Sequence, residues 1–230
     1  MKALGAPRLH LRRTDSTNTR ARELAERGAP HGTLVTAAEQ TAGRGRQGRT
    51  WTAPAGRALL CSLLVREPGR LLPLAAGIAV AETVGPQALL KWPNDVLIEG
   101  RKVAGILVEG RPQERWAIVG IGINVAVRES DFPCELRGRA ATMGLDPTAI
   151  EPTLTRLLAA LGRWLTAPPS EVLAAFRARD ALDGHTIEWT DGRGRADGID
   201  DQGRLSVLVA GGEHVMLDAG EVHLTVQNAL

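Results

Sequence analysis

The stretch Lys91-Trp92-Pro93-Asn94-Asp95-Val96-Leu97-Ile98-Glu99-Gly100-Arg101-Lys102-Val103-Ala104-Gly105-Ile106-Leu107-Val108-Glu109 decides the fold. Val96-Leu97-Ile98 and residues 103–108 are short apolar runs, and Glu99-Gly100 between them supplies a turn. The segment therefore reads as a β-hairpin with charged and amide groups gathered at the start of each strand. Pro93 holds the chain extended just ahead of it. Outward from the hairpin, residues 71–84 predict a helix rich in Ala and Leu, stopped by Gly85-Pro86. Residues 116–125 predict a further strand. Ala58 to Val65 is a continuous apolar run, the pattern of a strand buried on both faces. Residues 33–38 predict another strand, and Thr14-Asp15-Ser16-Thr17 caps a helix over 18–27.

A second segment carries charge into this sheet. Gly43-Arg44-Gly45-Arg46-Gln47-Gly48-Arg49 interleaves three glycines, which let the backbone approach a ligand, with three fixed guanidinium charges. Such a loop suits an anion with several oxygens, a nucleotide phosphate or a small carboxylate. Its letters satisfy G-x-G-x-x-G, but that fingerprint must open a helix. Arg49-Thr50-Trp51-Thr52-Ala53-Pro54-Ala55-Gly56 has no helical period and contains a breaker, so the dinucleotide reading fails. P-loop, zincin and serine-hydrolase motifs are absent from the sequence.

Together, residues 39–49, residues 91–95 and residues 102–109 resemble the biotin protein ligases. Asp15-Ser16-Thr17-Asn18 and Gly120-Ile121-Gly122-Ile123-Asn124 match the same family in the same order. The resemblance spans about residue 9 to about residue 225. It implies an α+β fold, with a mixed, mostly antiparallel sheet and flanking helices, related to class II aminoacyl-tRNA synthetases. It also implies a small SH3-like C-terminal β-barrel. The catalytic domain is expected over 1–182 and the barrel over 183–230. Within the latter, residues 185–189, 205–209 and 213–217 read as short strands. Gly192-Arg193-Gly194-Arg195 reads as a solvated hairpin turn. Helices are expected near 151–166 and 170–182, separated by Ala167-Pro168-Pro169.

The reaction implied by the resemblance has two steps. The biotin carboxylate attacks the α-phosphate of ATP, giving biotinyl-5′-adenylate and pyrophosphate, and a carrier-domain lysine then displaces AMP. Preplaced cations and amide donors in a site that excludes water serve both steps. The resemblance assigns Ser16, Thr17, Asn18 and Gln40 to the polar head of biotin, with Gly43, Arg44, Gly45 and Arg46 as the biotin-contacting loop. Arg46 and Arg49 fall nearest the adenylate phosphate. Lys102 matches the lysine that contacts the biotin carboxyl and the α-phosphoryl oxygens, and with Arg46 it is the candidate catalytic group. Trp92, Asn94, Asp95 and Asn124 correspond to positions around ATP. Asp95 is a candidate for holding Mg2+ with the ATP phosphates, although one carboxylate does not define a metal site. Taken alone, Ser16-Thr17 is also a helix cap, the arginine loop a solvated charge run and Lys102 a surface lysine. Gln47 stands where the family more often has Arg.

Bulk composition allows one medium domain plus a small one, with a real core. The 230 residues are 43% hydrophobic and carry a net charge of only +2, no electrostatic reason to coat nucleic acid. There are 25 Arg but three Lys, and two of these, Lys91 and Lys102, fall in one short motif. Cys61 and Cys134 lie far apart without paired spacing, which excludes a zinc cluster and suggests two buried thiols in a reducing compartment. No leader or spanning run is evident, so a cytoplasmic location is expected, with no membrane partner. The residues ahead of Asp15 cannot supply a helix-turn-helix, and residues 183–230 hold three Arg against nine Asp or Glu. No sequence-specific DNA binding is therefore expected. The expected partner is a biotin carboxyl carrier domain of a carboxylase; a homodimer stays open. The nearest rival is a lipoate–protein ligase, which shares the fold and the adenylate chemistry. A nucleic-acid-binding module is disfavoured by the few aromatic residues available for base stacking.

Overall fold

The computed structural model describes residues 4–218, 220 and 222–224. Residues 1–3, 219, 221 and 225–230, at the ends of the two expected domains or within the second, lie outside the described residues. In chain order the first part comprises β1 (Arg8–Leu11), α1 (Thr17–Glu26), β2 (Leu34–Ala37), β3 (Leu59–Arg66), α2 (Leu72–Val84), β4 (Leu89–Lys91), β5 (Asp95–Ile98), β6 (Arg101–Arg111), β7 (Trp116–Ile123), α3 (Ile150–Trp164) and α4 (Pro169–Arg177). The strands form one seven-stranded sheet in the order β1-β2-β3-β7-β6-β5-β4. Only β1 and β2 run parallel, joined by α1 as a crossover; every other pair is antiparallel.

Strict alternation along the central strands sends successive side chains into different buried clusters on the two faces. Leu59, Cys61, Leu63 and Val65 of β3, with Val119, Ile121 and Ile123 of β7, pack against α2, α3 and α4. Leu64 of β3 and Ile118 of β7 point the other way, onto Ala21 and Ala25 of α1. Leu63 and Leu64 are consecutive and at most 1% exposed. Each contributes about 1.5–3 kcal/mol relative to an exposed side chain, and a one-residue slip would exchange their cores. The two-sided burial read from residues 58–65 is what the sheet shows. Helix α2 is buried nearly all round, as its unbroken apolar composition requires.

A second sheet contains β8 (Thr186–Trp189), β9 (Gly192–Ile199), β10 (Leu205–Val209), β11 (His214–Leu217) and β12 (His223–Leu224), in the order β11-β10-β9-β8-β12. It is antiparallel throughout and open among the described residues.

Three expectations are corrected. Gly192-Arg193-Gly194-Arg195 is not a turn but the first half of β9; the turn is Thr190-Asp191. A Cβ on Gly194 would stand 2.6 Å from Leu208 O, and one on Gly192 would stand 2.7 Å from the Trp189 indole, so these glycines permit close strand packing. The helix expected to reach residue 182 stops at Arg177, because Arg179 O accepts from Leu90 N and Ala181 N donates to Leu90 O. This bridge ties the connection between the sheets to edge strand β4. Of the two cysteines only Cys61 is buried, and Cys134 is exposed. Strands β1, β4 and β12, four residues or fewer, carried no clear pattern in the sequence. No helix among the described residues is long and apolar enough to cross a membrane.

Candidate active site

The site lies on the α1 side of the sheet, where side chains are missing from the floor. Gly105 of β6 and Gly120 and Gly122 of β7 line a cavity of about 700 Å³. A Cβ on Gly122 would come within 2.5 Å of Trp51 Cε2, and one on Gly105 within 3.1 Å of Trp51 Cζ3 and 3.2 Å of Lys102 Nζ. The indole of Trp51 therefore lies close against the glycine floor, with Lys102 Nζ 5.8 Å from its ring centre. Every candidate residue named from the sequence lines this cavity except Gly43. Gly43 stands behind it, where a Cβ would meet Gln40 Nε2 at 2.8 Å and also Trp51 O.

One end of the cavity is a buried polar chain. Ser16, Thr17 and Asn18 open α1, yet Ser16 occupies the N-cap position without a side-chain cap bond. Asp15 Oδ1 accepts from Ser16 N at 2.7 Å, and Gln40 Oε1 accepts from Thr17 N at 2.7 Å and from Thr17 Oγ1 at 3.0 Å. Capping thus falls to neighbouring side chains and leaves the Ser16 hydroxyl out of it. Ser62 Oγ, in β3 and 0% exposed, lies 2.8 Å from Thr17 Oγ1 and 2.6 Å from Asn18 Oδ1. A serine has one hydrogen and an amide oxygen only accepts, so that proton goes to Asn18. Asn18 Nδ2 in turn donates to Glu109 Oε2 at 2.7 Å.

The arginine loop closes over this end as a tight backbone hairpin. Trp51 N donates to Gly43 O, Gly45 N to Arg49 O and Arg49 N to Arg46 O. Gln47 sits at φ 52, a left-handed conformation uncommon outside glycine. Arg44 Nη2 donates to Glu109 Oε2 at 3.0 Å. Arg44 Nε and Trp51 Nε1 are buried donors with no hydrogen-bond partner among the described residues.

At the opposite end, Lys102 of β6 faces Asp95 of β5, with Nζ 2.6 Å from Oδ1. The contact is an ion pair whose angle is not that of a hydrogen bond, since the same buried oxygen accepts no hydrogen bond. Asn94 Nδ2 donates to Ile106 O at 3.1 Å, and buried Asn124 Nδ2 donates to Ala141 O at 2.9 Å. Lys102 N bonds Arg139 O and Ala141 N bonds Lys102 O, so residues 139–141 form a wall beside the lysine. Trp92 is 2% exposed, and its Nε1 donates to Gly203 O in the turn between β9 and β10. A smaller cavity of about 380 Å³ opens at that seam, sharing Arg46, Trp92, Pro93, Asn94 and Ile106 with the main one. Val222, His223 and Leu224 also line the main cavity, so the second sheet contributes to it. No group of three or more His, Cys, Asp or Glu could hold a metal ion among the described residues.

Trp51, Ser62, Glu109 and the floor glycines were not singled out for roles by the sequence reading. Trp51 follows the arginine loop directly, and Ser62 is the one polar residue inside an apolar run; both were available signals.

The arrangement gathers buried hydrogen-bonding groups under the arginine loop at one end and the Lys102–Asp95 pair at the other, across a glycine floor. Comparison with known proteins agrees. Residues 10–125 match the biotin/lipoate A/B protein ligase family, and residues 191–224 match the biotin protein ligase C-terminal domain. The chain is 45% identical to the bifunctional ligase/repressor BirA of Bacillus subtilis over 56% of its own length and spans 43% of that protein. It is 37% identical to the biotin–[acetyl-CoA-carboxylase] ligase of Paracoccus denitrificans, covering 92% of this chain and 98% of that one. Its fold resembles the biotin protein ligase of Aquifex aeolicus in complex with biotin and ATP, with a TM-score of 0.79, 28% identity and coverage of 98% and 100%. The chain belongs to the biotin/lipoate A/B protein ligase family.

Proposed function

We propose that this chain activates biotin with ATP as biotinyl-5′-adenylate and transfers it to one lysine of a biotin carboxyl carrier domain. The observation that carries this reading is the cavity itself: a buried chain of Thr17, Asn18, Gln40 and Ser62 at one end, Lys102 at the other, and a glycine floor between them. A ureido ring offers one carbonyl and two N–H groups, which amides and hydroxyls can match. Ser16, Thr17, Asn18 and Gln40 take that head, with Gly43 to Arg46 folding over it. The orphaned donors Arg44 Nε and Trp51 Nε1 suit acceptor atoms of the substrates.

The carboxylate of biotin then lies toward Lys102. Its oxygen attacks the α-phosphorus, the bond to the bridging oxygen breaks, and pyrophosphate leaves. Lys102 offsets repulsion between the two anions and follows the charge into the transition state, with Arg46 as its second cation. Arg49, Trp92, Asn94, Asp95 and Asn124 surround the nucleotide. Trp92 does so from a fixed position, since its N–H is committed to Gly203. Magnesium fits only as a companion of ATP, because Asp95 is one carboxylate and already faces Lys102. In the second step the carrier lysine attacks the mixed-anhydride carbonyl and AMP leaves. The loop over 43–49 shields that anhydride from water.

We assign the sheet over β1–β7 with its helices to the class II synthetase-like architecture. The second sheet is the SH3-like module, with a boundary near residues 182 and 183. The partner is a folded carrier domain of a carboxylase, and the setting is the cytoplasm. The test is incubation with ATP and an apo carrier domain, read by intact-mass spectrometry. A gain of one biotinyl group with biotin and none with lipoate is expected; lipoyl addition alone would move the chain to the lipoate branch of the family.

A further inference from the structure

Glu109 lies near the end of β6, opposite Ile118 on the α1 side of the sheet, and its side chain is about a quarter exposed. It accepts from three donors on two elements. Oε2 accepts from Asn18 Nδ2 at 2.7 Å and from Arg44 Nη2 at 3.0 Å, while Oε1 accepts from Arg22 Nη2 at 2.9 Å. Asn18 and Arg22 lie one turn apart on α1, so both present to the same strand. Beyond Asn18, Ser62 Oγ donates to the Asn18 carboxamide and stands 2.8 Å from Thr17 Oγ1, which donates to Gln40. A single carboxylate thus stands between the arginine loop and the polar chain that receives the head group.

We propose that Glu109 is a positioning residue that couples the arginine loop to the biotin head pocket. This rests on the assignment of Thr17, Asn18 and Gln40 to that head. One oxygen, Oε2, orients both Asn18 and Arg44. A shift of the Asn18 carboxamide on ligand binding is therefore felt by Arg44, and loop closure is felt by Asn18. Arg22 neutralises the other oxygen and keeps the carboxylate turned toward the pocket. The same contact directs the Arg44 guanidinium, whose Nε stays buried without a protein partner.

The experiment measures steady-state pyrophosphate exchange for Glu109→Gln, Arg44→Ala and the double variant, each with biotin and ATP varied separately. Glu109→Gln keeps the shape and removes the charge that holds two arginines. The expected result is a biotin KM raised about tenfold or more, with the ATP KM within twofold and kcat within about threefold. The double variant should be no worse than the more affected single variant by more than about twofold, because both remove one coupling. Glu151→Gln, which breaks the exposed ion pair with Arg8, is the matched control and should change nothing. Multiplying effects in the double variant, or equal losses in the biotin and ATP parameters, would overturn the coupling. If Glu109→Gln does not fold, Glu109→Asp carries the same test, since shortening by one methylene cannot keep both Asn18 and Arg44. Gln40→Ala separates the two levels. If it leaves the biotin KM unchanged, the head-pocket assignment fails. If it raises the KM while Glu109→Gln and Glu109→Asp do not, only the role of Glu109 fails.

Discussion

Replacing Gly120 by alanine should distort the head pocket while leaving the sheet paired. Gly120 sits in β7 between Ser62 of β3 and Leu107 of β6. A Cβ there would overlap the Asn18 carboxamide, meeting Oδ1, Cγ at 2.8 Å and Nδ2 at 2.9 Å. Helix α1 cannot retreat, because Ala21 and Ala25 are packed on Val35, Leu64 and Ile118. The carboxamide must therefore turn away. It loses its charge-assisted bond to Glu109, worth about 1.5–3 kcal/mol, and its bond from Ser62, worth about 0.5–1.5 kcal/mol. If half of that loss falls on ligand binding, biotin affinity drops by about 1–2 kcal/mol, roughly tenfold. The assay is isothermal calorimetry with biotin, alongside a thermal melt. Gly110→Ala is the control, since a Cβ there meets neighbours no closer than 3.6 Å. A folded Gly120→Ala protein that binds biotin as tightly as wild type would refute the reasoning.

Lys102→Ala should lower the rate of adenylate formation by about 10²-fold or more, in line with losing one preplaced charge at a reacting centre. Lys102→Arg should also be impaired, because a fork cannot reproduce a point donor, and single-turnover rates at saturating ATP provide the check. Burial pushes the Asp180 carboxyl up to about 6, so the folded state holds its proton more tightly than the unfolded chain. Its contribution therefore favours folding below about pH 4 and is lost as pH rises through 6. Relative to wild type, Asp180→Asn, whose amide oxygen can still accept from Leu182 N, should gain about 1–2 kcal/mol of stability between pH 4.5 and pH 7.5, read from urea midpoints. Burial also pushes the Cys61 thiol up to about 12, whereas Cys134 is exposed, so a thiol reagent at pH 8 should label one cysteine in the native protein and two in denaturant.

The sequence reveals the elements with strong patterns and hides those set by tertiary contact. The hairpin over 95–109 and the helix over 72–84 were legible because apolar runs and turn residues coincide there. Strands β1 and β4 are short sheet edges, with Leu9 and Leu89 exposed, so no alternation marked them. The Gly-Arg repeat at 192–195 misled because glycine serves close packing as well as turns, and only the partner strand distinguishes the two. Within the site, ordered motifs brought out the residues on loops and strand starts. Ser62, Gly120 and Gly122 were not picked out for roles because alternation shows that two faces exist without showing which one borders the ligand. Glu109 stood inside a quoted motif, yet its role depends on Arg22 and Arg44, which are 87 and 65 residues away in the chain.

Adenylate formation from biotin is the chemistry proposed for the cavity. The most direct measurement is exchange of labelled pyrophosphate into ATP, with purified protein and no carrier present. Exchange that requires biotin, saturates with it and is absent with lipoate is the predicted result. Exchange supported by lipoate alone, or no exchange with biotin in folded protein that binds ATP, would contradict the account.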